Sequence, residues 1–108
     1  MASDEITPRR RIAFARINDN ALSHAESILA RWLPDGRREG SEWVALNPKR
    51  SDRRKGSFKV NVNSGRWGDF AAGVSGGDFV SLAAFLFDIN QGEAAHRLAD
   101  MLGIAAYE

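Results

Sequence analysis

Residues 56–78 read GSFKVNVNSGRWGDFAAGVSGGD and carry the clearest structural pattern in the chain. Apolar and polar side chains alternate over residues 58–62, which is typical of a strand with one buried face. An Asn-Ser-Gly turn separates this strand from a second short strand over residues 66–70. A glycine-rich segment then leads to Asp78, a residue type that often caps the first turn of a helix. The pattern predicts a tight hairpin followed directly by a helix.

Patterns on either side of the hairpin predict an α+β fold. The predicted elements are a helix over residues 19–33, a strand over residues 42–46, the two hairpin strands, and helices over residues 78–88 and 90–102. The assignments follow from apolar residues at helical or alternating spacing, and residues 71–77 are predicted to be a loop. We therefore expect a small three-stranded antiparallel sheet packed with an N-terminal helix and two C-terminal helices.

The chain is predicted to form one domain preceded by a basic arm. Residues 1–17 include Pro8 followed by three consecutive arginines, which offer little to bury, so we predict a flexible arm there, although Ile12, Phe14 and Ile17 could dock on the domain. Residues 18–108 are predicted to form a single module, since a chain of 108 residues is long enough to bury a modest core without a metal or a disulfide. The last predicted helix lies close to residue 108, and we expect this module to be the N-terminal part of a longer protein.

The composition excludes several classes of site. The chain has no cysteine, which rules out disulfides, thiol nucleophiles and zinc sites that use thiolate ligands. No apolar run approaches the roughly 20 residues of a transmembrane helix. The N-terminal residues also lack the apolar core of a signal peptide. We therefore expect a cytoplasmic protein with no membrane partner and no cofactor.

Charge is distributed unevenly along the chain, although the formal net charge is only +1. Residues 31–66 contain ten basic and four acidic side chains, whereas residues 67–108 contain one basic and six acidic ones. Within residues 49–59, six basic side chains accompany a single acidic one, Asp52. Such asymmetry indicates a surface that meets a polyanion, while the alternative is a basic loop that is simply solvated.

Basic and aromatic residues together form a candidate nucleic-acid-binding set. Its members are Arg50, Arg53, Arg54, Lys55, Lys59, Arg66 and Trp67. Cations neutralise phosphates, and aromatic rings such as Trp67 and the nearby Phe70 offer stacking surfaces for unpaired bases. For Trp67 the pattern leaves open whether the ring belongs to the core or to the uncovered face of the sheet.

Catalysis has little support in the sequence, and we predict no catalytic residues and no enzyme activity for this domain. Asp69 and Asp78 are explained as a loop residue and a helix cap, with a carboxylate metal site as the remaining alternative. His24 and His96 are interpreted as surface residues. The glycines of residues 73–77 lack the Gly-Lys-Ser/Thr ending of a phosphate-binding loop.

The order of several short motifs resembles the zinc-binding domain of bacterial and phage DNA primases. The motifs are Ser57-Phe58-Lys59-Val60, Gly65-Arg66-Trp67-Gly68-Asp69-Phe70, Gly76-Gly77-Asp78, Glu93-Ala94, Leu98-Ala99 and Leu102-Gly103-Ile104. They lie within residues 42–104. The resemblance implies a zinc-ribbon-like sheet and a module that engages single-stranded template DNA.

The departures from that family fall on the metal ligands. The four ligand positions correspond to Asn47, Arg50, Asp69 and Ala72, which cannot supply the anionic sulfur donors of a structural zinc site. We therefore predict no metal, and a fold held by packing and hydrogen bonds. An ion pair between Arg50 and Asp69 is one substitute for the zinc, and two independent surface charges are the alternative.

Two functional hypotheses follow from the sequence and the resemblance. The first is a non-catalytic module that binds single-stranded DNA, within a primase or primase–helicase of a phage, plasmid or integrated element. Its partners would be DNA and a primase catalytic domain or helicase. The second is a protein-interaction scaffold that docks a helicase or polymerase domain after loss of the zinc site.

Overall fold

The computed structural model describes residues 10–49 and 57–108, and within them the chain forms four helices and one five-stranded sheet. The elements are α1 (Phe14–Leu22), α2 (Ala25–Trp32), β1 (Arg37–Glu39), β2 (Glu42–Ala45), β3 (Phe58–Asn61), β4 (Trp67–Asp69), β5 (Val74–Gly76), α3 (Phe79–Phe87) and α4 (Gln91–Leu102). The strands lie in the sheet in chain order, and each pairs antiparallel with the next.

The fold is α+β, but the predicted three-stranded, zinc-ribbon-like sheet with three helices is wrong. The additional strands are β1 and β5, which form the two edges of the sheet. All three residues of β1 are charged and exposed, and β5 reads Val-Ser-Gly within the segment predicted to be a loop. Edge strands of this kind lack the alternation of apolar residues by which a strand is recognised.

The single helix predicted over residues 19–33 is also wrong, because the structure has two helices that meet at Ser23 and His24. The hydroxyl of Ser23 donates to the carbonyl of Asn20 at 2.8 Å, and the amide of His24 donates to the carbonyl of Ala21 at 2.9 Å. Such local bonds from a serine compete with the regular helical pattern. Helix α1 begins at Phe14 rather than near residue 19, and Ile17 is fully buried.

The two C-terminal helices begin at the predicted capping residues. The Asp78 carboxylate accepts a hydrogen bond from the amide of Ser81 at 2.8 Å, and the Ser81 hydroxyl oxygen accepts one from the amide of Asp78. Asn90 accepts a hydrogen bond from the amide of Glu93 in the same manner. No helix in the described part of the chain has the length and apolar character needed to cross a membrane.

The helices pack against one face of the sheet, termed here the inner face. Phe58 and Val60 of β3 and Trp67 of β4 lie on it, with 0%, 0% and 7% of their surfaces exposed. The Phe58 ring lies 6.0 Å from that of Trp67 and 6.1 Å from that of Phe85 on α3, measured between centroids. The side chains that alternate with these residues therefore project from the opposite, outer face.

Candidate nucleic-acid interface

The outer face carries polar side chains and one glycine across its three C-terminal strands. In the strand register, Lys59 of β3 pairs with Gly68 of β4, and Gly68 pairs with Ser75 of β5. These residues alternate with Phe58, Val60 and Trp67, which lie on the inner face. A row of Lys59, Gly68 and Ser75 consequently crosses the outer face from strand to strand.

A groove of about 560 Å³ lies on this outer face. Its lining includes Lys59, Asn61, Arg66, Gly68, Phe70 and Ser75, together with two acidic residues, Glu42 and Asp69. Its volume lies within the range of about 300–1,000 Å³ that is typical of small-molecule sites. The groove therefore has room for part of an extended ligand such as a nucleotide strand.

Two cations line the groove. The Lys59 Nζ lies 3.9 Å from Glu42 Oε1, and the two side chains are 38% and 40% exposed. An exposed pair of this kind contributes only about 0–1 kcal/mol, so Lys59 remains available to an anionic ligand. Arg66 is exposed and forms no ion pair with any residue in the described ranges.

Phe70 is the most exposed large apolar residue among those described, with 89% of its surface accessible. It follows Asp69, the last residue of β4, and begins a turn that hydrogen bonds to Asp69 stabilise. Asp69 Oδ1 accepts a hydrogen bond from the amide of Ala71 at 3.0 Å, and the Asp69 carbonyl accepts one from Gly73 at 2.9 Å. The turn thus presents an aromatic ring at the groove that the two cations also line.

A buried polar pair lies at the end of β4, beneath this turn. Asn47 and Asp69 are 4% and 1% exposed, and the Asn47 Nδ2 donates to Asp69 Oδ2 at 2.8 Å. Asn47 Oδ1 in turn accepts from the amide of Lys49 at 2.9 Å. Asn47 and Asp69 are two of the four positions matched above to zinc ligands. Their hydrogen bond joins the segment after β2 to the end of β4.

The environment of Asp69 favours its ionised form. Burial on its own raises the pKa of this carboxyl group. Hydrogen bonds from Asn47, the Ala71 amide, the Ser57 hydroxyl and the Ala72 amide outweigh that effect and hold the pKa below its usual value. The carboxylate is therefore a buried anion stabilised by several donors.

The sequence-predicted binding residues fall into three groups. Lys59 and Arg66 line the groove, and Trp67 is also among its lining residues although most of its surface is buried. Trp67 lies on the inner face, where its indole Nε1 donates to Ser81 Oγ at 2.9 Å and its exposure is 7%. A ring buried in this way does not offer a face to a base. The other four predicted residues lie outside the described ranges: Arg50, Arg53, Arg54 and Lys55. The predicted ion pair between Arg50 and Asp69 therefore also lies outside them.

Several groove residues were missed by the sequence analysis. Ser75 lies on β5, where the sequence predicts a loop, so the sequence does not indicate its pairing with Gly68. Gly68 stands out in the sequence only as part of the Gly-Arg-Trp-Gly-Asp-Phe motif. The contact between Asn47 and Asp69 was missed because Arg50 was the predicted partner of Asp69.

The remaining predicted chemistry is placed as follows. Asp78 caps α3, and Ala72 is an exposed residue of the turn after Asp69. Within residues 10–49 and 57–108, no three histidine, aspartate or glutamate side chains lie close enough together to hold a metal ion. The carboxylate metal site considered from the sequence thus has no support in the described residues.

A second groove, of about 490 Å³, lies on the helical side of the molecule. Phe87 of α3 and Met101 of α4 line it and are 45% and 36% exposed. The ring of Trp32 packs edge-on against Phe87, with 5.6 Å between centroids. Arg31, Arg97 and Asp100 also line this second groove, which shares no lining residue with the groove on the outer face.

The sequence was also compared with known proteins, and neither a protein-family model nor a curated protein matches it.

Proposed function

We propose that this chain is a non-catalytic, cytoplasmic module that binds single-stranded DNA through the outer face of its sheet. The observation that carries the proposal is the groove in which Lys59 and Arg66 accompany the 89%-exposed ring of Phe70. The uneven distribution of charge in the sequence points to the same polyanionic ligand.

In this proposal, some groove residues contact the phosphates of the strand and another contacts a base. The ammonium of Lys59 and the guanidinium of Arg66 attract phosphates and release counterions from the strand. The ring of Phe70 stacks with a base, an interaction worth about 1–3 kcal/mol in single-strand-binding proteins. Neither interaction reads base identity strongly, so we expect weak sequence preference and strong dependence on salt.

An exposed ring favours a single strand over a duplex as the ligand. In a duplex the bases stack on one another, and unstacking one costs a few kcal/mol. In a single strand their faces are available to Phe70. The choice of DNA over RNA rests on the resemblance to primase zinc domains, as does the proposed setting in a primase or primase–helicase of a phage, plasmid or integrated element. A primase catalytic domain or helicase is the accompanying partner.

Binding of a fluorescently labelled oligonucleotide, followed by anisotropy at 50 and 200 mM salt, tests the proposal. The double variant Lys59→Gln/Arg66→Gln removes both groove cations and should weaken binding on the order of tenfold at the lower salt. The matched control, Arg31→Gln/Arg97→Gln, removes two cations from the helical side and should bind like the original protein. An RNA strand of the same sequence tests the preference for DNA.

Two outcomes would count against single-stranded DNA binding. One is the absence of binding at 50 mM salt. The other is an equal loss in the two double variants, because this would mean that net charge alone governs the interaction. Amide chemical-shift changes in β3, β4 and β5 would locate the ligand independently of any substitution.

A protein-interaction module is the second candidate, and the exposed patch of Phe87 and Met101 favours it. Apolar side chains that share a groove are typical of surfaces that dock a polypeptide. Calorimetric titration with a purified primase catalytic domain or replicative helicase tests this candidate. Phe87→Ser should abolish binding, whereas Phe14→Ser, a matched change at a residue 40% exposed on α1, should not. Equal effects of the two substitutions would argue against docking at this patch.

A further inference from the structure

Gly68 forms the floor of the groove on the outer face. It lies between Lys59 and Ser75 in the strand register, so it is the one position of that row without a side chain. A Cβ atom at this position would lie 3.3 Å from the carbonyl oxygen of Val74 and 3.4 Å from the Cβ of Ser75. A side chain at this position would therefore press against β5, and its absence allows the two strands to approach closely. Gly68 is half-buried and lines the groove, so part of the β4 backbone is accessible there.

A cation, a hydroxyl group and an aromatic ring line the groove around this glycine. Lys59 stands on one side and Ser75 on the other. Phe70, two residues further along the chain, also lines the groove and exposes its ring. Two residues of strand span about 7 Å, so the ring and the bare backbone lie within reach of one flat ligand.

We infer that the groove holds one unstacked nucleobase, which lies against the backbone of Gly68 and the ring of Phe70. This inference rests on the function proposed above and specifies how the strand is bound. A glycine in a strand commonly marks a place where a ligand approaches the backbone closely. Ser75 supplies a hydroxyl that both donates and accepts hydrogen bonds at a base edge. Lys59 and Arg66 then contact the flanking phosphates.

Purely electrostatic binding predicts something different from base insertion. Phosphate contacts need only the cations, so a side chain at residue 68 would leave them largely unchanged. An inserted base needs the volume above Gly68, so a side chain there would exclude it. A substitution at Gly68 should therefore weaken binding of a strand that has bases and leave binding of a bare sugar–phosphate backbone largely unchanged.

The test compares two labelled oligonucleotides of equal length, one of thymidines and one with abasic sites in the same backbone. The original protein should bind the thymidine strand about tenfold more tightly, as expected for one stacked base. Gly68→Val should lower the affinity for thymidine to the abasic level and change abasic affinity less than twofold. Gly77→Val is the matched control, since a Cβ at Gly77 meets nothing within 4 Å, and it should keep the original ratio.

A measurement on the unmodified protein keeps the inference testable if Gly68→Val fails to fold. A base over Gly68 should shift its Hα resonances upfield when the thymidine strand is added, and the abasic strand should not. Equal affinity for both strands, an unchanged ratio in Gly68→Val, or unshifted Gly68 resonances would overturn base insertion while leaving phosphate binding intact. Absence of binding to either strand at 50 mM salt would overturn the proposed function as well.

Discussion

The inner and outer faces of β3 and β4 belong to the same two strands yet have opposite properties. On the inner face, Phe58 and Val60 are fully buried against the helices. On the outer face, Lys59 and Gly68 line an open groove. Because neighbouring strand residues point to opposite sides, the fold depends on one set of side chains and the proposed binding on the other. Substitutions of exposed side chains at the groove, such as Arg66 and Phe70, should therefore change binding without changing stability.

The largest expected contrast is between two phenylalanines, one on each side of this division. Phe58→Ala removes a ring that is 0% exposed and should lower the free energy of unfolding by about 3–5 kcal/mol. Phe70→Ala removes a ring that is 89% exposed and should change it by no more than about 0.5 kcal/mol. Urea denaturation followed by circular dichroism measures both.

Phe70→Ala should have a large effect on DNA binding although its effect on stability is small. Loss of its ring should weaken binding of the thymidine strand by about 1–3 kcal/mol, since base stacking is lost and the fold is retained. A stable Phe58→Ala protein, or a Phe70→Ala protein with unchanged affinity, would mean that the two faces are not divided in this way.

The second contrast concerns polar residues, because the buried region also contains the Asn47–Asp69 pair. Asn47→Ala removes a donor to a carboxylate that is 1% exposed, and should destabilise the protein by about 1–3 kcal/mol. Asn63→Ala, at an exposed residue of the β3–β4 turn, should cost less than about 0.5 kcal/mol. Equal urea midpoints for the two variants would show that the buried hydrogen bond does not support the fold.

The inner face of the hairpin was accessible to sequence analysis, and the sheet edges were not. Residues 58–62 alternate strictly, so the buried positions of β3 and the outward position of Lys59 follow from the pattern alone. The charged strand β1 and the Val-Ser-Gly strand β5 have no such pattern, since their pairing depends on the strands beside them. The break at Ser23 was hidden because the apolar positions of α1 and α2 together resemble one helical stripe.

The candidate site was predictable in part for the same reason. Alternation placed Lys59 on the outer face, and Arg66 was identified by its charge. The sequence does not decide on which face of the sheet Trp67 lies, and the strand register puts it opposite Val60 on the inner face. The roles of Gly68 and Ser75 depend on the pairing of β4 with β5, which no local pattern indicated.

The third contrast is between neutral and acidic solution, and it depends on Asp69. Burial raises the pKa of this carboxyl group, but the hydrogen bonds that it accepts lower the pKa by a larger amount. The pKa in the folded state therefore lies below that in the unfolded state. The stabilisation is therefore complete above the unfolded pKa of about 4 and is lost as the pH falls through the folded pKa. Asp69→Asn should be less stable than the original protein at pH 7 and should lose less stability on acidification.

Urea midpoints measured from neutral pH to below about pH 4 check this expectation. Asp100→Asn is a suitable control, because Asp100 is an exposed residue of α4. It should follow the original pH profile. Parallel profiles for Asp69→Asn and the original protein would show that another group governs acid unfolding.

The smallest expected effect is the salt dependence contributed by one cation of the outer face. Each phosphate contact to a single strand contributes about 0.7 to the slope of log affinity against log salt concentration. Arg66 lines the groove and has no ion pair with any described residue, so Arg66→Gln should reduce the slope by about that amount. Arg31→Gln, on the helical side, should leave it unchanged. Because Arg66 contacts only the backbone in this proposal, the loss should be equal for thymidine and abasic strands. A loss confined to the thymidine strand would instead place Arg66 at the base.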